Sequence, residues 1–230
     1  MNVSNNGLRS MEIYKLNDEA SNDSDETLKI TDIRQAVKNE NRVNVFVNKK
    51  YSFSLDVAQL VDLKLKVGTG ITKDELAEYK KLSEFGKLYQ RTLEWVLVRP
   101  RSEKETNDYL YKKVYEKKLD KDYIYKIIEK LKDKKYLDDK KFADYYVENR
   151  FVKKGISARR LKMELMKKGI KKEIIEKVLS DSVRNDEDEI LKIIAKKRAR
   201  YDDEKLTQYL CRQGFSYELV QNLVQSYGKD

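Results

Sequence analysis

The residue types that most often carry catalysis or bind metals are nearly absent from this chain of 230 residues. It has no histidine and a single cysteine, Cys211. A serine or cysteine nucleophile therefore has no imidazole base, and neither a histidine-based nor a cysteine-rich zinc site can form within one chain. One cysteine also excludes an intrachain disulfide. We expect no catalytic residues, no metal site and no cofactor.

Clustered carboxylates are the other groups in this chain that could bind a metal. Acidic runs occur at Asp138-Asp139, Asp186–Glu189 and Asp202-Asp203, and carboxylate oxygens are ligands that Mg²⁺ prefers. Each run, however, falls where a helix is predicted to begin, and carboxylates there complement the helix dipole. We favour that structural interpretation. A carboxylate-dependent nuclease stays open as an alternative, which incubation with DNA and Mg²⁺ tests.

The strongest functional signal is a basic segment at residues 150–172. It carries ten cations and one acid, Glu164, for a net charge of +9 in a chain whose net charge is +10. Cations at this density repel each other unless an anionic partner neutralises them. We predict a partner-binding or DNA-binding surface made by Arg150, Lys153, Lys154, Arg159, Arg160, Lys162, Lys167, Lys168, Lys171 and Lys172.

A helical wheel separates part of this charge from the core. Leu161 and Leu165 define the buried stripe of one helix, whereas Arg159, Arg160 and Lys167 fall on the opposite face. We therefore expect these three cations to be replaceable without any effect on packing.

Aromatic residues lie beside the basic segment. Tyr145, Tyr146 and Phe151 could stack on nucleic-acid bases, but rings at helical spacing are more often core. We predict that Phe142 and Tyr146 are core residues and leave Tyr145 open.

The elements that position these residues are predicted to be helices. Gly and Pro are scarce, at eight and one, and the apolar period is helical from Thr72 onward. Capping boxes at Thr72–Glu75 and Ser102–Glu105 begin helices, and Arg99-Pro100 ends one. We predict nine helices at about 74–98, 103–116, 121–134, 139–153, 158–168, 172–182, 187–200, 204–212 and 217–226.

The N-terminal part has a different pattern. Residues 1–26 are polar with a net charge of −4, which predicts a disordered acidic tail. Between residues 27 and 72, runs of period two are separated by turns predicted at Asn39–Asn41 and Asn48–Lys50. This pattern predicts a small antiparallel β meander, followed by a short helical stretch from Val57 to Leu63.

An internal repeat organises the nine helices into three sets of three. A shift of 45 residues brings the second set onto the third, and it pairs Leu161 with Leu206, Leu165 with Leu210 and Gly169 with Gly214. Each glycine follows a middle helix, where a left-handed residue ends a helix at little cost. In the first set, Leu110 is predicted to take the place of Leu165, followed by about four extra residues.

The sequence therefore predicts a mostly α fold. Three tandem three-helix repeats form an elongated curved array, since one repeat alone buries too little surface, and the β meander precedes them. The predicted domains are the tail at 1–26, a β-rich extension at 27–72, and repeats at 73–137, 138–184 and 185–230.

Several of these residues occur in an order that resembles the RecX family. The matching residues are Tyr136-Leu137-Asp138-Asp139, Phe142-Ala143, Arg150-Phe151, Gly155, Arg159-Arg160, Glu164-Leu165, Lys168-Gly169-Ile170 and the run Arg212–Tyr217. The meander also resembles the N-terminal extension of some members. The resemblance implies three tandem three-helix repeats without catalytic activity. It also implies binding along the groove of the RecA nucleoprotein filament and modulation, usually inhibition, of RecA ATP hydrolysis and strand exchange.

Two further expectations concern partners and location. No stretch approaches 18 apolar residues and the N-terminus has no basic-then-apolar signal, so we expect a cytoplasmic protein with no membrane contact. We also expect a monomer. The alternative function is a regulator that binds DNA directly and without sequence preference. A sequence-specific DNA-binding protein is disfavoured, because no pair of middle and last helices shows a polar face for contacts to bases in more than one repeat.

Overall fold

The computed structural model describes residues 28–37, 39–153 and 155–227, without the side chains of residues 151–153. The predicted acidic tail lies outside these residues. The chain divides between Lys80 and Lys81 into two compact units.

The first unit is built on a small antiparallel sheet with strand order β3-β2-β1-β4. Val43, Val45 and Val47 of β2 alternate inward and pack with Ile30 and Phe53 in its core. The sheet confirms the predicted meander, while the short strand β4 was not predicted. The elements are β1 (Leu28–Ala36), β2 (Asn39–Val47), β3 (Lys50–Asp56), α1 (Val57–Asp62) and β4 (Gly70–Ile71).

The first turn of the sheet lies before the residues predicted for it. Asn39 already pairs with Ala36 in the ladder between β1 and β2, so Asn39–Asn41 belongs to a strand and the predicted turn is wrong. The Asn39 side chain accepts the backbone N–H of Asn41 at 2.9 Å, and the Gln35 side chain donates to the carbonyl of Glu40 at 3.0 Å. Polar residues that usually mark a turn here satisfy backbone groups at the irregular end of the ladder.

The rest of the described chain is helical, as predicted. Helices α2 to α10 correspond to the nine predicted helices, and α1 to the predicted short stretch. Within the described part of the chain, every helix is too short or too polar to cross a bilayer. The helices are α2 (Lys73–Leu97), α3 (Glu103–Lys117), α4 (Asp122–Asp133), α5 (Asp139–Lys153), α6 (Ala158–Lys167), α7 (Lys172–Asp181), α8 (Asp186–Lys197), α9 (Asp203–Arg212) and α10 (Tyr217–Ser226).

The two predicted capping boxes differ in the structure. At the start of α2, Thr72 and Glu75 exchange both hydrogen bonds, at 2.8 and 3.1 Å. At the start of α3, Ser102 accepts the backbone N–H of Glu105 at 3.1 Å, but the Glu105 carboxylate pairs with Arg99 and Lys168 instead. The second box is therefore only half formed, because two cations compete for its carboxylate.

Each set of three helices has its own hydrophobic cluster. We refer to α2–α4, α5–α7 and α8–α10 as repeats 1, 2 and 3. Fully buried centres are Leu110 and Ile127 in repeat 1, Phe142 and Leu165 in repeat 2, and Leu206 in repeat 3. The confirmed mostly α fold is thus stabilised by separate apolar cores, one in each repeat.

The match between repeat 1 and the later repeats depends on which end of α3 is compared. At the N-terminal end, Ser102 caps α3 as Ser157 caps α6, so Leu110 takes the place of Leu165, as predicted, and the extra residues follow it. At the C-terminal end, the residue after the left-handed position donates to the carbonyl of Val114, Leu165 or Leu210, at 3.0, 3.1 and 3.4 Å, so Val114 also matches Leu165. Helix α3 is therefore longer than α6 by about one turn.

Glycine stands at the left-handed position in two repeats but not in the first. Gly169 and Gly214 have φ of +82° and +96°, as the prediction that they end the middle helices requires, and Lys118 has φ of +53° at the matching position. A Cβ on Gly169 would lie 2.8 Å from Cβ of Lys104, and one on Gly214 would lie 2.5 Å from Oγ of Ser157. The C-terminal end of each later middle helix therefore packs against the N-terminal end of the preceding one.

The same hydrogen bond from a backbone N–H to a carboxylate occurs at both junctions between consecutive repeats. Asp139, the first residue of α5, accepts the backbone N–H of Glu103 at 2.8 Å, and Asp186, the first residue of α8, accepts that of Ala158 at 2.9 Å. Burial raises the pKa of both carboxyls, while the bond from the backbone N–H opposes that shift. These acidic residues lie at helix N-termini, as predicted, and they also join consecutive repeats.

Candidate partner-binding surface

Helix α6 carries the centre of the predicted surface. Leu161 and Leu165 are fully buried, and Ser157 caps the helix by accepting the N–H of Arg160 at 3.2 Å. Met163 and Met166 are 47% and 56% exposed on the side away from the two leucines. The helix therefore presents two methionines on its outer face.

Three of the ten predicted cations are occupied by contacts within the protein. Arg150 binds the Glu164 carboxylate through two nitrogens, at 2.9 and 3.1 Å. Lys168 pairs with Glu105 of repeat 1 at 2.5 Å. Arg160 is the third, and it contacts repeat 3.

Arg160 does not project freely from the outer face of α6. Its guanidinium donates to the carbonyl of Arg212 and to the side chain of Gln213, both at 3.1 Å, and its Nε lies 3.5 Å from Glu164. The expectation that Arg160 could be replaced without any effect on packing is therefore wrong. On the helical wheel Arg160 lies at the flank, beside Glu164, where repeat 3 approaches.

Two more cations share one carboxylate. Lys162 lies 3.0 Å and Lys172 lies 3.8 Å from the same oxygen of Glu176. These pairs are exposed and contribute little to stability, so both lysines stay available to a partner. The side chain of Lys153 and the whole of Lys154 lie outside the described residues.

The remaining three predicted cations have no partner of their own in the part of the chain that the structure describes. Arg159, Lys167 and Lys171 are exposed, and among the described residues their side chains make neither a hydrogen bond nor an ion pair. Arg159 and Lys167 lie on α6 with the two methionines between them in sequence. We call Arg159, Met163, Met166 and Lys167 the α6 face.

The α6 face has no equivalent in the other repeats. Counted from the C-terminal ends of the helices, the matching residues of α3 are Asp108, Lys112, Tyr115 and Glu116, and those of α9 are Glu204, Gln208, Cys211 and Arg212. Both matching sets contain carboxylates, and Lys104 and Lys112 pair with those of α3. Repeat 2 alone therefore combines unpaired cations with exposed apolar side chains at these positions.

Behind the α6 face, Glu164 organises the interior of repeat 2. The hydroxyl of Tyr146 donates to its carboxylate at 2.8 Å, beside the bonds from Arg150. These hydrogen bonds hold the pKa of Glu164 below its usual value despite burial, and those from Arg150 have the largest effect. Phe142 is fully buried, as predicted for a core residue, and its ring packs on Tyr146, which is half-buried at the edge of the same cluster.

A second group of cations was missed by sequence reasoning. Arg99 and Arg101 flank the single proline, and Arg99 lies 3.3 Å from Glu105. Burial would raise the pKa of Glu105, but Lys168 and Arg99 outweigh that effect and lower it. The available signal was the pair of arginines at a helix break, but only the contact between repeats 1 and 2 brings Arg99 and Lys168 to the same carboxylate, that of Glu105.

Comparison with known proteins places the chain in a family. Models for the regulatory protein RecX N-terminal domain and for the RecX second three-helix domain match residues 28–72 and 138–179. Proteins called regulatory protein RecX from Bacillus licheniformis and Bacillus pumilus are 32% and 33% identical over 204 residues, which cover 85% of this chain and 76% of each relative. The chain belongs to the RecX family of regulatory proteins.

A solved structure supports the fold. A crystal structure described as that of regulatory protein RecX matches with a TM-score of 0.64 at 23% sequence identity, over 86% of this chain and 100% of the other. At this identity the likeness concerns the fold alone.

Proposed function

We propose that this protein regulates the RecA recombinase without catalysis of its own. As a cytoplasmic monomer with the proposed repeats at 73–137, 138–184 and 185–230, it binds the RecA–DNA filament through the α6 face and reduces ATP hydrolysis and strand exchange. Membership of a family of regulatory proteins supports the general role. The observation that carries the mechanism is the composition of the α6 face.

The α6 face suits a partner that is both protein and polyanion. Unpaired cations at Arg159 and Lys167 attract phosphates and acidic surfaces. Met163 and Met166 add flexible apolar side chains that adapt to a protein surface. Bare nucleic acid offers the methionines little to contact, whereas a filament of protein on DNA offers partners to both kinds of side chain.

The test is charge reversal on the α6 face. Combined Arg159→Glu and Lys167→Glu exchange should weaken inhibition of the RecA ATPase on single-stranded DNA at least about tenfold, because each change turns an attraction into a repulsion. Both side chains are exposed, so the free energy of unfolding should change by less than about 1 kcal/mol in total. ATPase titrations give the first quantity and urea unfolding followed by circular dichroism gives the second.

A matched control separates the site from net charge. Lys126 and Lys196 are exposed lysines of repeats 1 and 3 without an ion pair among the described residues. The variant with Lys126→Glu and Lys196→Glu has the same net charge as the α6 variant and should inhibit like wild type. Equal inhibition by wild type and a folded α6 variant would place the RecA contact elsewhere.

The alternative function, direct binding of DNA without sequence preference, makes a different prediction. The three unpaired cations Arg159, Lys167 and Lys171 should produce weak binding to single-stranded DNA with a log–log salt slope of about −2, at roughly −0.7 for each neutralised phosphate. Fluorescence anisotropy across a salt series measures this slope. Tight binding of one duplex sequence at physiological salt would contradict this alternative, because it requires recognition of sequence.

A further inference from the structure

Repeats 1 and 2 enclose a cleft of about 210 Å³ beside the α6 face. Tyr145 and Arg150 of α5 form one wall, and Lys168 lies at the end of α6. Arg99 and Glu105 complete the cleft from repeat 1. Three cations and one carboxylate thus face the same space.

The charges in this cleft are not balanced. Glu105 is shared by Arg99 at 3.3 Å and Lys168 at 2.5 Å, so one negative charge serves two positive ones. Arg150 binds Glu164, which Arg160 also approaches at 3.5 Å. The side chains of Arg99, Arg150 and Lys168 are still 33%, 30% and 37% exposed, which leaves room for an incoming anion.

Arg101, next to the cleft, has an unsatisfied donor. Its Nε is buried without a hydrogen-bond partner among the described residues, a rare condition in folded proteins that needs an explanation. Its guanidinium lies 3.9 Å from the centre of the Trp95 ring, and Trp95 stacks on Tyr109 at 4.4 Å. Burial and the nearby Arg99 lower the pKa of Arg101, so an added anion would stabilise it.

We propose that the cleft binds one phosphodiester of single-stranded nucleic acid, held by Arg99, Arg150 and Lys168, with the adjoining base against Tyr145. This proposal rests on the proposed function, because it assigns the DNA part of the filament to a particular site. Planar guanidinium groups match the oxygens of a phosphate. The partly exposed ring of Tyr145 on the same wall suits an unstacked base, which single strands offer and an acidic peptide lacks.

The single tryptophan provides a direct measurement. Trp95 lies under Arg101, so its fluorescence reports on the surroundings of the cleft. An oligothymidylate of about 15 nucleotides, titrated at low salt in the absence of RecA, should change the fluorescence emission of Trp95 until the site is saturated. Tyr145→Leu should weaken this binding about tenfold through loss of stacking, and Arg99→Gln should weaken it through loss of a phosphate contact.

Two control variants isolate the aromatic ring. Tyr145→Phe retains the ring and should bind like wild type. Tyr125→Leu removes a tyrosine of α4 that is 70% exposed and should also bind like wild type. Circular dichroism of each variant establishes that the helices are intact. Equal affinity of a folded Tyr145→Leu variant and wild type for oligothymidylate overturns the proposal.

Two competitors identify the chemistry that is recognised. Inorganic polyphosphate should compete with similar strength in wild type and Tyr145→Leu, since it has phosphates without bases. Polyglutamate that competes as well as oligothymidylate at equal charge overturns the proposal in favour of an acidic protein segment. RecA is absent from this measurement, so its result is independent of the α6-face test. If the α6 variant loses RecA inhibition but binds oligothymidylate normally, the proposal for the cleft still stands. If Tyr145→Leu loses oligothymidylate binding but inhibits RecA normally, the proposal for the α6 face still stands.

Discussion

Replacement of Gly169 by valine is expected to lower the free energy of unfolding by roughly 2–4 kcal/mol, the sum of two costs. The first is a side chain at φ of +82°, where a β-branched residue is strained. The second is steric, because the added Cβ would lie 2.8 Å from Cβ of Lys104, an atom that cannot move without α3. Thermal unfolding followed by circular dichroism should show a melting temperature lower by roughly 5–15 °C.

Lys118 offers a matched control for this prediction. It has φ of +53° at the same position of repeat 1, so Lys118→Gly removes a left-handed side chain instead of adding one. That variant should be unchanged or more stable by less than about 1 kcal/mol. A Gly169→Val protein that melts at the wild-type temperature would show that this glycine neither ends α6 nor lies against α3.

The glycines also show how far the sequence can predict this fold. Gly169 and Gly214 are equally spaced from Leu165 and Leu210, so the pattern alone reveals that repeats 2 and 3 are related. In repeat 1 the left-handed residue is Lys118, which carries no such signal. Helix α3 is also about one turn longer than α6, so its apolar stripe matches that of α6 from either end, and leucine and valine look alike at successive turns of such a stripe.

The candidate surface was predictable only in part, for a related reason. A helical wheel distinguishes buried from exposed faces, and it placed Arg159 and Lys167 correctly on the outside of α6. It treats one helix in isolation, so it could not show that Arg160 meets the carbonyl of Arg212 from the next repeat. The same limit hid the pairing of Lys168 with Glu105, two residues far apart in sequence that the junction of two repeats brings together.

Among the residues of repeat 2, Glu164 is the one whose loss we expect to lower stability most, because it removes hydrogen bonds and the neutralising charge of two arginines together. Glu164→Ala removes the acceptor of two Arg150 bonds and of the Tyr146 hydroxyl, and it leaves Arg150 and Arg160 without their shared carboxylate. With these groups only partly exposed, we expect a loss of about 2–3 kcal/mol in the free energy of unfolding. Urea unfolding of wild type, Glu164→Ala, Arg150→Ala and the double variant measures the coupling of the pair.

The pH dependence of stability tests the same interaction without deleting the side chain. The pKa of Glu164 is lowered from 4.5 in the folded protein, so its contribution is fully present above the unfolded value and is lost as the pH falls through the folded value. Glu164→Gln cannot ionise, and its unfolding free energy should therefore fall less steeply than that of wild type between about pH 5 and pH 3. Glu105 also has a lowered pKa and remains in both proteins, so the difference between the two curves isolates Glu164. Parallel curves for wild type and Glu164→Gln would mean that Arg150 binds Glu164 no more strongly in the folded chain than water does, and the network behind the α6 face would then contribute nothing to its stability.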